Sequence, residues 1–338
     1  TGTNNNAFGY GALQFVEGGS HNTAMGYGAL LYNNADNNTA IGFASLLANT
    51  TGANNSAFGY RALRYNTTGA NSVAFGFRSL SSNTIGYNNS AFGYDSLKSN
   101  TTGTYNTAIG YGTLVSNTTG SFNSAFGHGA LLYNATGVNN SAFGYFALFY
   151  NTVSNNNAFG FNALRENTTG ASNTAVGYQS LRYNTVGNNN VAIGLQALFN
   201  NTSGARNNAL GVNALVSNTI GSNNNAFGYY ALRNNTTGGN NCAFGYSSLR
   251  YNTIGGSNTA VGYGSLNANT IGGANSAFGI NALSANSTGN NNSAFGLNSL
   301  VSNSTGKQNC AFGRNALYSN TVADSNNAFG YKALRYNT

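Results

Sequence analysis

The sequence predicts an all-β fold, a parallel β-solenoid (β-roll) of about twenty 17-residue coils. Three observations carry that expectation. An Ala-Phe-Gly triplet and its close variants recur from one end of the chain to the other. Several columns of the repeat hold a single residue type. Every unit contains a cluster of Asn, Thr and Gly. Internal periodicity of this kind is the signature of a solenoid.

Taking the alanine of the triplet as column 0, the repeat recurs at Ala7, Ala24, Ala40, Ala57 and onward to Ala328. Of the nineteen intervals, all are 17 residues except two of 16, which end at Ala40 and Ala158. The units therefore account for residues 1–338 as one continuous array. Column +2 is Gly and column +6 is Leu in all twenty copies, and column +5 is always Ala, Ser or Thr. Column +1 is Phe in thirteen copies and a large or branched apolar residue in the rest. Columns +9 and −2 are Asn in nineteen copies each, with Val16 and Ser72 the exceptions.

Helices do not suit this unit. A glycine in every repeat costs about 1 kcal/mol relative to alanine in a helix, and the Asn-Thr-x-Gly cluster is turn chemistry. Seventeen residues fit two short strands and two turns, one solenoid coil. In such a stack each residue sits about 4.8 Å above its equivalent, so columns become ladders of like on like. The expectation is that the Phe and Leu columns point into the core as strands. The Asn columns would stand at the corners, with amide-to-amide bonding along the stack. Both deletions fall between columns +9 and −2, at Asn33–Asn38 and Asn151–Asn156, and indels belong in exposed loops. That segment is expected to be the exposed turn.

Composition excludes several classes. Charged residues are 5% of the chain, against roughly 25% in ordinary domains. Aromatics at 13% argue against disorder. Thirteen cations in 338 residues are sparse for a nucleic-acid binder, so no nucleic-acid partner is expected. No apolar run approaches the roughly 18 residues of a membrane span. Tyr336-Asn-Thr338 and Thr1-Gly2-Thr3 join in the register of the repeat, so the array is expected to be a segment of a longer fibre.

Asn71-Ser-Val-Ala-Phe-Gly76 and Asn190-Val-Ala-Ile-Gly194 resemble the Asn-Ser-Val-Ala-Ile-Gly motif of trimeric autotransporter adhesin (YadA-like) heads. The whole unit is similar to the Asn-Thr-Ala-Ile-Gly-Tyr repeats of tail-fibre-type surface proteins. The resemblance implies a parallel β-roll, often trimeric, at a cell or virion surface. The adhesin-head repeat is shorter than this one, so the turn differs.

Catalytic chemistry finds no foothold. The five carboxylates Glu17, Asp36, Asp95, Glu166 and Asp324 occupy different columns of distant coils, whereas paired-carboxylate catalysis needs groups about 5–10 Å apart. His21 and His128 stand in unrelated columns, without zinc-ligand spacing. No Gly-Lys-Ser or Gly-Lys-Thr follows the glycines, so no phosphate loop forms. Catalytic, cofactor and metal sites are all expected to be absent, and the chain is read as a non-enzyme. Cys242 and Cys310 share column −1 four coils apart. That places them about 19 Å apart at the stacking rise, too far for a disulfide.

One stripe stands out. Arg64, Lys98, Arg165, Arg182, Arg233, Arg250 and Arg335 all occupy column +7, and tyrosine often follows at +8. Column +3 is tyrosine in eleven copies. Such a stripe can bind anionic glycans or a neighbouring fibre through charge and ring stacking; as a plain solvated face it would bind nothing, and the gaps in the Arg column favour that reading. The functional expectation is a structural extracellular fibre or adhesin-type stalk or head. Its partners would be further copies of itself, as an end-to-end filament or homotrimer, and surface glycans. The alternatives are an ice-binding solenoid, suggested by Thr in fifteen copies of column +10, and a glycan-binding one.

Overall fold

The computed structural model describes residues 2–337 and resolves into two units, Thr1–Thr169 and Gly170–Thr338. Each carries ten three-residue strands, from Asn6–Phe8 to Asn157–Phe159 in the first and from Thr174–Val176 to Asn327–Phe329 in the second. Within each unit consecutive strands pair in parallel and in strict register, Ala57 on Ala74 and Phe58 on Phe75 for example. The β-solenoid of 17-residue coils is thus the fold.

The coil differs from the expected one in three respects. Only columns −1 to +1 form a regular strand; the Leu segment is not a second strand but a run of turns. All twenty leucines of column +6 have φ between 47 and 53°. A left-handed conformation costs a non-glycine residue roughly 1–2 kcal/mol. Full burial of the leucine, about 1.5–3 kcal/mol, offsets it, as does the bond from its N–H to the next coil, Leu63 to the Ser79 carbonyl at 3.0 Å.

The second correction concerns phenylalanine. Column +1 faces outward: Phe75 is 55% exposed, while Ala74 beside it is fully buried. Strand alternation dictates this. With alanine facing inward at column 0, its neighbours must face out. The interior is filled by Ala, the small residue of column +5, Leu and two Asn, leaving no space for a ring in every coil. The apolar character of a column therefore records stacking and does not by itself mean burial.

The third correction concerns asparagine. Except in the first and last coils, columns +9 and −2 are buried, as at Asn66 and Asn55; the exposed turn is confined to residues between them. Asn66 Nδ2 donates to the Asn49 Oδ1 of the preceding coil and to the Gly69 carbonyl, both at 2.8 Å. Asn55 Nδ2 donates to the same Gly69 carbonyl from the other side, at 2.8 Å. The Asn55 N–H in turn reaches Asn38 Oδ1 at 2.9 Å. A buried amide is tolerated only when its groups are paired, and here the ladder pairs them coil after coil. Ser72 is the imperfect substitute: its hydroxyl accepts from the Asn89 N–H and donates to Ala70, leaving the Gly86 carbonyl with Asn83 alone.

The shortened coils keep this core. Asn33 and Asn151 donate to the carbonyls of Ala35 and Val153, two residues on instead of three. Asn38 and Asn156 bond directly to Asn33 and Asn151 at 3.2 and 3.0 Å. The lost residue comes from the exposed part of the turn.

Backbone polar groups are satisfied along the axis. In the coil of Ala57, the N–H groups of Gly59, Arg61 and Asn71 donate to the preceding coil, and those of Ser56, Leu63, Tyr65 and Thr67 to the next. The invariant column +2 glycine follows from this close approach. At Gly127, with φ of 120°, an added Cβ would lie 2.6 Å from the Gly144 carbonyl oxygen. At column +5, Ser or Thr replaces Ala at little cost because its hydroxyl turns back to that glycine's carbonyl, as Ser45 does to Gly42 at 3.1 Å.

Candidate functional site

Three outward ladders run along each unit. The first is column +1. Its rings stack where Phe is continuous, with centroids 4.6 Å apart for Phe126 and Phe143 and also for Phe295 and Phe312. No charged residue occurs in this column.

The second is column +3. In the first unit it is a ring in every coil, from Tyr10 to Phe161, with centroid spacings of 4.9–5.3 Å. His128, which sequence reasoning left without a role, is a member of this stack between Tyr111 and Tyr145. Its place in a column otherwise rich in tyrosine was the available signal. In the second unit the column is broken by Leu195, Val212, Ile280, Leu297 and Arg314. Tyr229 sits there against Tyr230, whose hydrogen bond raises the Tyr229 phenol above its ordinary value. Tyr331 shifts the other way, lowered chiefly by its hydrogen bond with Lys332.

The third ladder is the cationic stripe of column +7, and its members do not share one environment. Arg64, Arg182 and Arg250 lie over the rings of Tyr65, Tyr183 and Tyr251 at 4.8–5.1 Å. Arg335 lies over Tyr336 at 5.2 Å, and Arg233 and Arg250 approach the ring of Tyr230 at 5.0 and 4.8 Å. Lys98 lies 3.7 Å from Asp95, and Arg165 pairs with Glu166 at 2.8 Å. Asp95 is held more firmly by Arg78, which grips both its oxygens at 2.8 and 2.6 Å. That contact raises the Arg78 pKa further above its ordinary value. Sequence reasoning missed this pair, since Arg78 and Asp95 share column +4 in adjacent coils and meet only through the stacking.

The other singled-out residues fall apart as sites. Cys242 and Cys310 are both free thiols. Among the described residues no three His, Cys, Asp or Glu side chains converge on a point that could hold a metal. Among the described residues no helix is long and apolar enough to cross a membrane. The threonines of column +10 donate their hydroxyls to the next coil, Thr67 to the Thr84 carbonyl at 3.0 Å and Thr219 to that of Thr236 at 3.1 Å.

Between the second and third ladders runs a groove floored by column +4. Large side chains fill it in places, as the Arg78–Asp95 pair does. Where column +4 is small it opens. One opening lies at Tyr10, Gly11 and Gly28, with apolar walls including Phe15 and Leu31 and a volume of about 260 Å³. A larger one of about 500 Å³ lies in the second unit around Ser247 and Gly264. Compared with known proteins, the chain matches no family model and no curated sequence.

Proposed function

We propose that this chain is a structural module of an extracellular fibre or an adhesin-type stalk or head, built by self-association of copies through the outward apolar ladder of column +1. The observation that carries this reading is that ladder's exposure. Phe75, Met25 and Ile193 are 55, 50 and 40% exposed in a column with no charge. Ten such side chains stand in line in each unit and, partly exposed, form a strip of several hundred Å² at roughly 200 Å² for a full ring. That is the size of the largest apolar patch on a typical monomer, about 300–600 Å², which is often functional.

A second copy is the occupant that fits. Its ladder has the same coil spacing, so apolar side chains meet apolar side chains coil by coil, and the absence of charge in the column removes repulsion. The core supports a structural role too: it is made of alanine, leucine and paired amides, with nothing reactive inside. The threonine column favours this over ice binding, because its hydroxyl protons are engaged by backbone carbonyls instead of being presented to water. The resemblance to adhesin heads and tail-fibre repeats agrees with a cell or virion surface location.

Sedimentation equilibrium tests the reading. The chain is expected to self-associate at micromolar concentration, and the triple substitution of Phe75, Phe92 and Phe126 to Ser to give monomers with unchanged circular dichroism. A chain that sediments as a monomer throughout, or a triple variant that associates as before, would sink it.

A further inference from the structure

The open groove of the second unit has the composition of a ligand site and not of a packing gap. Its volume of about 500 Å³ lies within the roughly 300–1,000 Å³ of small-molecule sites. One wall is formed by the stacked rings of Tyr246 and Tyr263, 5.2 Å apart. The floor is Ser247 and Gly264, and the opposite wall is Arg250, Asn267 and Ser284.

The polar groups here are left over from the fold. Ser247 is 4% exposed, and its buried hydroxyl has no hydrogen-bond partner. Asn267 donates its amide to the Ser247 carbonyl at 2.9 Å, which fixes the side chain and leaves its own carbonyl oxygen to accept. Donors and acceptors facing a wall of two stacked rings suit a polyol, whose hydroxyls they can bond and whose C–H faces can lie on the rings.

Charge narrows the class. Arg250 and Arg233 flank the Tyr230 ring from adjacent coils, and no carboxylate pairs with either among the described residues. Asp324 is the only carboxylate of the second unit, and it accepts the Lys307 N–H in another column. A guanidinium without a counter-ion beside a polyol-binding cleft calls for a carboxylate on the ligand, which it can bind in a bidentate manner.

We propose that the groove between Tyr246 and Ser284 binds an acidic saccharide, with Arg250 taking the carboxylate of a uronic-type sugar and Asn267, Ser247 and Ser284 its hydroxyls. The site lies on columns +3 to +7, so it does not depend on self-association through column +1. Gly264 keeps the cleft open: an added Cβ there would come within 2.7 Å of Asn281 Oδ1.

The test is calorimetric titration of the full chain with tetragalacturonate, with its carboxyl-reduced neutral counterpart, and with a sulfated polysaccharide. Tetragalacturonate is expected to bind, and the neutral sugar to bind at least about tenfold more weakly, as loss of one charge-assisted contact implies. Arg250→Gln and Gly264→Gln should each weaken the acid sugar about tenfold or more. Both have precedents in the fold, Gln14 in column +7 and Gln179 and Gln196 in the left-handed column +4. Arg64→Gln, the same column in the first unit, should leave binding unchanged. No binding of tetragalacturonate, equal binding of the neutral sugar, a sulfated chain bound as tightly with no effect of either groove substitution, or an equal loss in Arg64→Gln would each overturn the proposal.

Discussion

In the first unit column +3 is an aromatic ring in every coil, and four carboxylates stand against five cations, a balance of +1. In the second unit five of its ten +3 residues are not rings, and one carboxylate stands against eight cations, a balance of +7. The two balances sum to the +8 of the chain. Yet the buried columns are the same in both: alanine at 0, leucine at +6, asparagine at +9 and −2. The difference teaches where this architecture permits variation. A buried side chain must fit the coil above and the coil below, so its column stays uniform. An outward one answers only to its own neighbours on the surface, and charge and ring content drift freely there.

Substitutions in matched pairs test that division. The largest effect is expected at column +2, and it should be equal in the two units. Gly127→Ala and Gly245→Ala each drive a Cβ to 2.6 Å from the next coil's carbonyl oxygen, at φ of 120 and 131°. Each should cost about 4 kcal/mol or more, read as loss of amide-exchange protection in the flanking coils. If one unit tolerates the change, the equivalence of their cores fails. Leu131→Ala and Leu249→Ala remove fully buried side chains and should each cost about 2–5 kcal/mol in denaturant titrations.

The outer columns should separate the units. Tyr94→Leu breaks two stacked contacts, to Phe77 and Tyr111, and should destabilise by about 1–2 kcal/mol. In the second unit Ile280→Tyr should extend the Tyr229–Tyr246–Tyr263 stack and gain about 0.5–1 kcal/mol, measured as a rise in melting temperature. The smallest effect concerns ion pairs. Arg78→Gln loses the bidentate Asp95 contact, whose groups are 31 and 14% exposed, and should cost below about 1 kcal/mol, with a part that vanishes at high salt. Arg182→Gln, which has no carboxylate partner, should show no salt-dependent loss.

Much of the fold was legible because it is written in uniform columns. Gly at +2 and Leu at +6 in all twenty copies announce a stacked coil, and the deletions point to the turn that absorbs them. What was misread is the direction a column faces. Phe75 and Leu80 both belong to apolar columns, and only the strand alternation around Ala74 separates the outward ring from the inward leucine. The invariant small residue at column 0, flanked by varied ones at −1 and large ones at +1, was the sign of an inward position. Asparagine misled for a related reason: a polar residue is ordinarily exposed, and a ladder that satisfies its own amides removes that penalty. The Arg column was visible as a stripe, but its division into paired and unpaired members depends on Asp95 and Glu166. The groove was hidden because it opens only where two adjacent coils carry small residues at column +4, Ser247 and Gly264, and the next coil a small one at column +7, Ser284.

The hydrogen bonds between coils run along the axis while the chain itself circles it, and this sets how the molecule yields to force. A pull on a chain end loads the last coil's contacts in succession and peels that coil away while its neighbours stay intact. Each coil released adds 17 residues of slack, about 60 Å of extended chain. Under tension such an array is expected to pay out chain in nearly equal increments, shorter by one residue at the two 16-residue coils, and to dissipate work coil by coil.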